Sequence, residues 1–175
     1  MSIQETKKAA VLGTTSWGTT LAILLARKGI AVQLLARTDE EAKTLIKEGE
    51  NSRFTPGVPF PNTLTVTSSP KTAIGSADVI VIAVPSSTIR ANIGRISSFI
   101  KPEATLVSAT KGLEITTGMR VTEMISEELK MDWNGTLCVL SGPNLANEIL
   151  HGKPSTTVIA CDSENQAKKI QGIFS

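Results

Sequence analysis

The chain has 175 residues, which is enough for one domain with a buried core. Hydrophobic residues make up 41%, charged residues 19% and the net charge is +2, so the charge balance does not indicate a nucleic-acid partner. Aromatic residues make up 3%, which leaves few side chains for base stacking. No stretch approaches the ~20 apolar residues that a membrane-spanning helix needs.

Apolar runs and amphipathic stretches alternate along the whole chain. Strands are predicted where a short apolar run is bounded by turn residues, at 9–12, 30–36, 64–67, 78–84, 105–109, 136–140 and 156–160. Helices are predicted from apolar spacing and capping residues, at 16–28, 39–48, 70–75, 85–100, 118–130, 143–150 and from 163 onward. This alternation predicts an α/β fold with a doubly wound, mainly parallel Rossmann-like sheet, as one domain over residues 1–175.

The start of the chain and its cysteines bear on location and on metal binding. Residues 1–8 are polar and lack the apolar core of a signal peptide. Cys138 and Cys161 lie far apart in predicted strands, so we expect two buried free thiols in a reducing, cytoplasmic environment. With His151 as the single histidine, the sequence offers no metal-ligand cluster, and we expect no metal.

The turn after the first predicted strand resembles the dinucleotide fingerprint G-x-G-x-x-G. Gly13 and Gly18 stand at the first and last glycine positions, and Thr15 replaces the middle glycine. The N–H groups that begin the following helix can hold a phosphate. A threonine costs about 1–3 kcal/mol if this position needs a positive φ, and little if φ is negative. An ordinary strand-to-helix turn is the alternative interpretation.

Arg37 follows the second predicted strand, where many dinucleotide-binding folds place an acid that binds the ribose 2′-hydroxyl. An arginine there suits a 2′-phosphate or stacks on adenine, so it favours NADP at least as much as NAD. A solvated surface arginine is the alternative. Asp39 comes two residues later and is predicted to begin the next helix, with Thr38 as its cap.

Three further strand ends carry residues that could bind a ligand, since open α/β sheets bind ligands at that edge. Pro85 begins one turn, Lys111 follows another strand, and Ser141-Gly142-Pro143-Asn144 forms a strand-to-helix turn with N–H groups available to an anion. A lysine could hold a phosphate or polarise a carbonyl group. The alternatives are simple helix capping after Pro85 and ordinary surface charge at Lys111.

Several stretches of the chain are similar, in order, to the glycerol-3-phosphate dehydrogenases, and together they cover nearly its whole length. They are Gly13–Ala22 with Ser16-Trp17-Gly18-Thr19, Arg37, the loop Asn51–Pro59, Val84-Pro85-Ser86, Thr110-Lys111-Gly112-Leu113-Glu114, and Ser141-Gly142-Pro143 with Ala146 and Glu148. The loop resembles the family pattern N-x-x-Y-L-P-G. The last two motifs together are fairly specific to the family.

The resemblance implies an NAD- or NADP-dependent oxidoreductase that interconverts dihydroxyacetone phosphate and sn-glycerol 3-phosphate by hydride transfer, for phospholipid synthesis. Together with the fingerprint, it predicts cofactor contacts at Gly13, Thr15, Ser16, Trp17, Gly18, Arg37, Pro85, Lys111 and Ala146. It predicts substrate contacts at Lys111, Gly142 and Asn144. Lys111 would lie beside both the nicotinamide and the substrate.

The chain departs from the family pattern in three ways. Thr15 replaces a glycine, and Asn144 replaces a usual serine or threonine. The resemblance also implies that the family's proton-transferring lysine, the general acid and base, lies in a helical C-terminal domain beyond Ser175. General acid catalysis typically contributes about 10²–10⁴-fold. We therefore expect these residues to be the N-terminal part of a longer, homodimeric enzyme, and to bind dinucleotide weakly with little or no turnover alone.

Two other functions remain open at this point. One is another NADP-dependent reductase with the same first domain, such as a ketopantoate reductase or a β-hydroxyacid dehydrogenase, although the spacing of the Lys111 and Gly142 motifs argues against it. The other is a non-catalytic NAD(P)-sensing domain, which is motivated by Thr15 and by the absence of the catalytic lysine.

Overall fold

A computed structural model describes residues 8–129 and 133–175 of the chain. Within these ranges seven strands form one sheet, in the order β3-β2-β1-β4-β5-β6-β7. The strands are β1 (Lys8–Leu12), β2 (Ala31–Leu35), β3 (Leu64–Thr67), β4 (Val79–Ile82), β5 (Thr105–Ser108), β6 (Thr136–Ser141) and β7 (Val158–Cys161).

Helices separate successive strands. They are α1 (Ser16–Arg27), α2 (Asp39–Glu48), α3 (Pro70–Ile74), α4 (Ile89–Ile96), α5 (Val121–Glu128), α6 (Ala146–Leu150) and α7 (Glu164–Phe174). Short 3₁₀ turns at Ser86–Thr88 and Ser97–Phe99 flank α4, so the helix predicted at 85–100 is divided into three pieces. No helix in the described part of the chain is long and apolar enough to cross a bilayer.

The winding of the sheet confirms the predicted fold class. β1 to β6 are parallel, and β7 is antiparallel to β6. The chain passes outward from β1 to β3, returns to the middle as β4, and then continues in the opposite direction. The winding therefore reverses between β1 and β4, which is the place where open α/β sheets bind ligands.

Hydrophobic layers cover both faces of the sheet. β4 is buried along its whole length, and its alternate residues enter different cores. Val79 and Val81 pack on the face covered by α1, whereas Ile80 and Ile82 pack on the face that carries α4 and α5. A parallel strand covered on both sides reads as a continuous apolar run, which is why this segment is clear in the sequence.

Two predicted helices are shorter in the structure. The segment predicted at 118–130 is helical only over Val121–Glu128, because Leu113 bridges Arg120 in a turn that precedes the helix. Its predicted end at residue 130 lies outside the described residues. The segment predicted at 143–150 is helical only over Ala146–Leu150.

The two cysteines are distant in sequence but adjacent in the structure, and the prediction that both thiols are buried is wrong for Cys161. Cys138 and Cys161 are partners in the antiparallel pairing of β6 and β7. Both thiols are free, but only Cys138 is buried, and Cys161 is half-buried. Burial and, next, the neighbouring Cys161 raise the pKa of the Cys138 thiol to about 12.

Gly13 and Gly18 allow β1, α1 and the end of β4 to approach more closely than side chains would permit. A Cβ on Gly18 would lie 2.1 Å from the carbonyl oxygen of Gly13, and a Cβ on Gly13 would lie 2.4 Å from the carbonyl oxygen of Ala83. Gly13 also has a φ of +122°, which is strained for any residue with a side chain. The turn therefore needs both glycines to form.

Replacing Gly18 with Ala is expected to lower the free energy of unfolding by about 3 kcal/mol, the upper end of the usual cost of overpacking. Chemical denaturation monitored by circular dichroism measures this. Gly172→Ala is the matched control, because Gly172 is also helical but a Cβ there meets nothing within 4 Å. That change should stabilise the chain by about 0.5–1 kcal/mol. Equal effects of the two substitutions would contradict the steric argument.

Candidate functional site

Thr15 fits the turn without strain. It is the N-cap of α1 with φ −75° and ψ 177°, an extended conformation open to any residue. Its side chain makes no capping hydrogen bond. The first bond from α1 back to the turn is donated by the backbone N–H of Thr19 to the carbonyl of Thr15. The opening N–H groups of α1 thus remain available to an anion, and the middle glycine of the fingerprint is not needed for conformation.

The loop at residues 49–62 is hydrogen-bonded to the turn between β1 and α1. Asn51 is buried, and its side-chain Nδ2 donates to the carbonyl oxygen of Thr14 at 2.8 Å and to Oγ1 of Thr19 at 2.9 Å. The Oγ1 of Thr19 donates in turn to the same Thr14 carbonyl at 3.2 Å. A loop that is distant in sequence therefore fixes the backbone between β1 and α1.

Arg37 forms an ion pair with Glu41 of α2. Its Nη2 lies 3.1 Å from Oε1 and its Nε lies 3.3 Å from Oε2 of the carboxylate. Glu41 also accepts hydrogen bonds from the backbone N–H of Arg37 and from Oγ1 of Thr14, both at 2.8 Å. The side chain of Arg37 is 67% exposed. Arg37 is thus a paired arginine whose guanidinium reaches solvent.

A cleft of about 380 Å³ opens at the carboxyl ends of β1, β4, β5 and β6. Five of the predicted residues line it, namely Thr15, Trp17, Pro85, Lys111 and Asn144, together with Ala83, Val84, Ala109 and Thr110. The cleft therefore lies at the point where the winding of the sheet reverses. Arg37 follows β2 and Ala146 begins α6, and neither lines the cleft.

Lys111 reaches across the cleft to the next strand end. Its Nζ donates to the carbonyl oxygen of Gly142 at 2.8 Å. The residue before it, Thr110, donates through Oγ1 to the carbonyl of Val84 at 2.8 Å, which fastens the end of β5 to the end of β4. The ammonium group is therefore held at the mouth of the cleft while its exposed side remains free for a polar ligand.

Asn144 has a structural role as well as a place in the cleft. Its Nδ2 lies within hydrogen-bond distance of Oγ of Ser155, the carbonyl of Thr156 and Oγ1 of Thr157. A Cβ on Gly142 would lie 2.5 Å from the carbonyl of Thr156. The turn at 141–144 is thus packed against the segment before β7, and Oδ1 of Asn144 is a buried side-chain atom that makes no hydrogen bond.

An ion cluster anchors the loop that follows Lys111. Arg90 of α4 bonds both carboxylate oxygens of Glu114, Nε at 2.7 Å and Nη2 at 3.0 Å, and also pairs with Glu127 and Glu128 of α5. Hydrogen bonds from Arg90 and then Thr117 hold the pKa of Glu114 at about 2. The Lys111 loop is therefore tied to two helices on one face of the sheet.

Ser175 follows α7 and takes no part in the cleft. It caps the helix, with its Oγ and its backbone N–H both donating to the carbonyl oxygen of Gln171, at 2.8 and 2.9 Å. Its side chain is exposed and does not line the cleft. The family resemblance places the general acid and base lysine beyond Ser175, and this stays a prediction. Within the described residues, Lys111 is the lysine that lines the cleft.

Sequence reasoning did not identify Glu41 or Arg90 as parts of this region. The pattern Thr38-x-x-Glu41 is a helix-capping signature, and Thr38 does accept from the backbone N–H of Glu41. Nothing in that pattern shows that Glu41 faces Thr14, 27 residues earlier. Arg90 gave no local signal, because its partners are distant in sequence.

Other parts of the described chain are weaker candidates for a ligand site. A larger groove of about 1190 Å³ runs between α5 and the β6–β7 pair, away from the predicted residues. Within residues 8–129 and 133–175, no group of three or more His, Cys, Asp or Glu side chains could hold a metal ion. The cleft at the reversal of winding is the better candidate, because the predicted side chains converge there.

Comparison with known proteins places this chain among dehydrogenases. Residues 8–167 match the family model described as NAD-dependent glycerol-3-phosphate dehydrogenase N-terminus. A protein of Dehalococcoides mccartyi named glycerol-3-phosphate dehydrogenase, NAD(P)+, is 44% identical over 163 residues, covering 93% of this chain and 45% of that protein. One of the same name from Corynebacterium glutamicum is 45% identical, covering 93% and 48%.

The fold has a close counterpart among solved structures. A crystal structure of glycerol-3-phosphate dehydrogenase from Coxiella burnetii superimposes with a TM-score of 0.89 at 30% identity, covering 97% of this chain and 51% of that one. The chain thus spans about half the length of the curated relatives it matches.

Asn51→Ala is expected to lower the free energy of unfolding by about 2 kcal/mol, because the buried Thr14 carbonyl and Thr19 hydroxyl lose their shared donor. Urea denaturation measures the change. Asn62→Ala is the control, since Asn62 is exposed, and it should stay within about 0.5 kcal/mol of the parent chain. A stability loss no larger than that of the control would show that the two hydrogen bonds of the Asn51 side chain do not stabilise the turn.

The Arg90–Glu114 pair is expected to make stability depend on pH. The folded-state pKa of Glu114, about 2, lies below its ordinary value of 4.5, so the stabilisation is present above about pH 4.5 and is lost as pH falls towards 2. Glu114→Gln should therefore lower the melting temperature at pH 7. The difference in melting temperature between variant and parent should narrow as the pH falls from about 4.5 towards 2. Glu103→Gln, at an exposed site, is the control. A difference that is constant with pH would contradict the assignment.

Proposed function

This chain belongs to the NAD-dependent glycerol-3-phosphate dehydrogenases, whose N-terminal region it matches, and we propose that it is the dinucleotide-binding domain of a longer enzyme of that kind. The enzyme interconverts dihydroxyacetone phosphate and sn-glycerol 3-phosphate by hydride transfer, with NAD or NADP. The observation that carries this proposal is the convergence of Thr15, Trp17, Pro85, Lys111 and Asn144 on one cleft where the sheet reverses its winding.

The residues present suit a dinucleotide. Gly13 permits the tight turn after β1, and Gly18 permits the close packing of α1 against that turn, so the start of α1 is directed towards the cleft. The N–H groups of Ser16 and Trp17 begin α1, where the helix dipole favours negative charge. Arg37, exposed at the end of β2, supplies a cation where the adenosine ribose lies in such folds.

Lys111 has the central part in the proposed chemistry. A bound nicotinamide supplies or accepts the hydride, and the chain must orient the substrate beside it. The ammonium group of Lys111, held by the Gly142 carbonyl, is a donor for the carbonyl oxygen of a triose phosphate. Gly142 and Asn144 form the adjoining turn and are the proposed substrate contacts, with Ala146 next to the cofactor. A charge placed in this way stabilises the oxyanion that develops during hydride transfer.

The rival functions have less support. A non-catalytic sensing domain is motivated by Thr15 and by the absence of the catalytic lysine, and the negative φ of Thr15 removes the first of these two grounds, because that residue fits the turn without strain. A reductase of the ketopantoate or β-hydroxyacid type shares the first domain, but the family match and the 44–45% identical relatives favour glycerol-3-phosphate dehydrogenase. The proposal includes a cytoplasmic, homodimeric parent enzyme that feeds phospholipid synthesis and carries its proton-transferring lysine beyond Ser175.

The test has a binding arm and a turnover arm. This chain should bind NADPH or NADH, measured by quenching of Trp17 fluorescence in a Trp133→Phe background. In the full-length protein, Lys111→Ala should lower kcat for reduction of dihydroxyacetone phosphate by about 10²–10³-fold, the typical effect of removing one oxyanion donor. Because Lys111 is exposed, folding should be unchanged.

Lys71→Ala, an exposed lysine on α3, is the matched control and should keep parental turnover. If Lys111→Ala also keeps parental turnover, Lys111 has no part in the reaction. If the full-length protein binds neither nucleotide, the proposed function is wrong.

A further inference from the structure

One carboxylate lies between the two parts of the proposed nucleotide site. Glu41 accepts four hydrogen bonds, from the Thr14 hydroxyl and Arg37 Nη2 on Oε1, and from the backbone N–H and Nε of Arg37 on Oε2. These donors occupy the acceptor positions of both oxygens. A ligand can reach this carboxylate only by displacing one of them.

The donors differ in how readily they can leave. Thr14 is buried, and the backbone N–H of Arg37 follows directly on Ala36, whose own N–H is bonded to the carbonyl of Thr67. The Arg37 side chain is 67% exposed, whereas that of Glu41 is 19% exposed. Exposed ion pairs contribute little to stability, so the guanidinium can turn away at small cost while Glu41 stays in place.

Glu41 also stays charged. Partial burial alone would raise its pKa, but hydrogen bonds from the side chain and backbone of Arg37 and from Thr14 outweigh this and lower the pKa below its ordinary value. In dinucleotide-binding folds an acid near the end of β2 binds a ribose 2′-hydroxyl, and an arginine accommodates a 2′-phosphate. This chain has both groups, bonded to each other.

We propose that Glu41 is a specificity-determining residue that limits the preference of this site for a nucleotide carrying a 2′-phosphate. The inference rests on the proposed function, because it requires a dinucleotide at the β1–α1 turn. To bind a 2′-phosphate, Arg37 must leave Glu41, and the carboxylate then faces a second anion. A 2′-hydroxyl instead donates to the oxygen that Arg37 vacates. Arg37 and Glu41 therefore act in opposite directions on the choice of nucleotide.

The test measures dissociation constants of NADH and NADPH, which differ only in the 2′-phosphate, by NMR titration of this chain. The readout is the ratio of the NADH constant to the NADPH constant. Glu41→Gln should raise this ratio about five- to tenfold, since a like charge close to the phosphate is removed. Arg37→Ala, at an exposed side chain, should lower it.

Glu40→Gln is the matched control, because it removes the same charge from the adjacent, exposed position of the same helix turn. Its ratio should stay within about twofold of the parent, as charges exposed to solvent are screened. The proposal is overturned if Glu41→Gln leaves the ratio within twofold, if Glu40→Gln shifts it equally, or if Arg37→Ala raises it. The NMR spectra also report whether each variant is folded, and Arg37→Ala tests the proposal should Glu41→Gln unfold. Binding of neither nucleotide by the parent chain would instead refute the proposed function.

Discussion

The contact between α1 and the end of β1 is the constraint on which the rest of the site depends. The carbonyl oxygen of Gly13 occupies the space where a Cβ of residue 18 would stand, and Gly13 itself fits against the carbonyl of Ala83. This close approach directs the N-terminus of α1 towards the point where the winding reverses. It also brings Trp17 to the same cleft as the end of β4.

Hydrogen bonds from distant segments then hold the turn in place. Asn51 braces it through the Thr14 carbonyl, and Glu41 braces it through the Thr14 hydroxyl. One residue of the turn thereby joins the loop at 49–62 to the first turn of α2. Because Glu41 also holds Arg37, the phosphate side and the ribose side of the proposed site form one connected network. A similar arrangement supports Lys111, whose loop is tied to α4 and α5 through Arg90 and Glu114.

The family match and the position of the cleft at the reversal of winding are both consistent with the proposed function. The relatives share nearly the whole length of this chain, but the chain spans about half of theirs. In the proposed enzyme, these residues therefore orient the nucleotide and supply Lys111, and the remainder of the enzyme supplies the proton-transferring lysine. Among the described residues, those that line the cleft follow the ends of β1, β4, β5 and β6.

The order of strands and helices, the mainly parallel sheet and five of the residues that line the cleft were predictable from the sequence alone. Continuous apolar runs mark strands buried on both faces, and residues after parallel strands must meet at one edge. The predicted bounds of the helices at 118–130 and 143–150 were wrong, because the turns before those helices are held by contacts outside the helices, the Leu113–Arg120 bridge and the bond from Asn144 to the carbonyl of Thr156. The negative φ of Thr15, the position of Cys138 opposite Cys161 on neighbouring strands and the contact of Glu41 with Thr14 are known only from the packed structure. The reason is physical: periodicity reports which face of an element is buried, whereas a hydrogen bond between side chains far apart in sequence depends on how the elements pack.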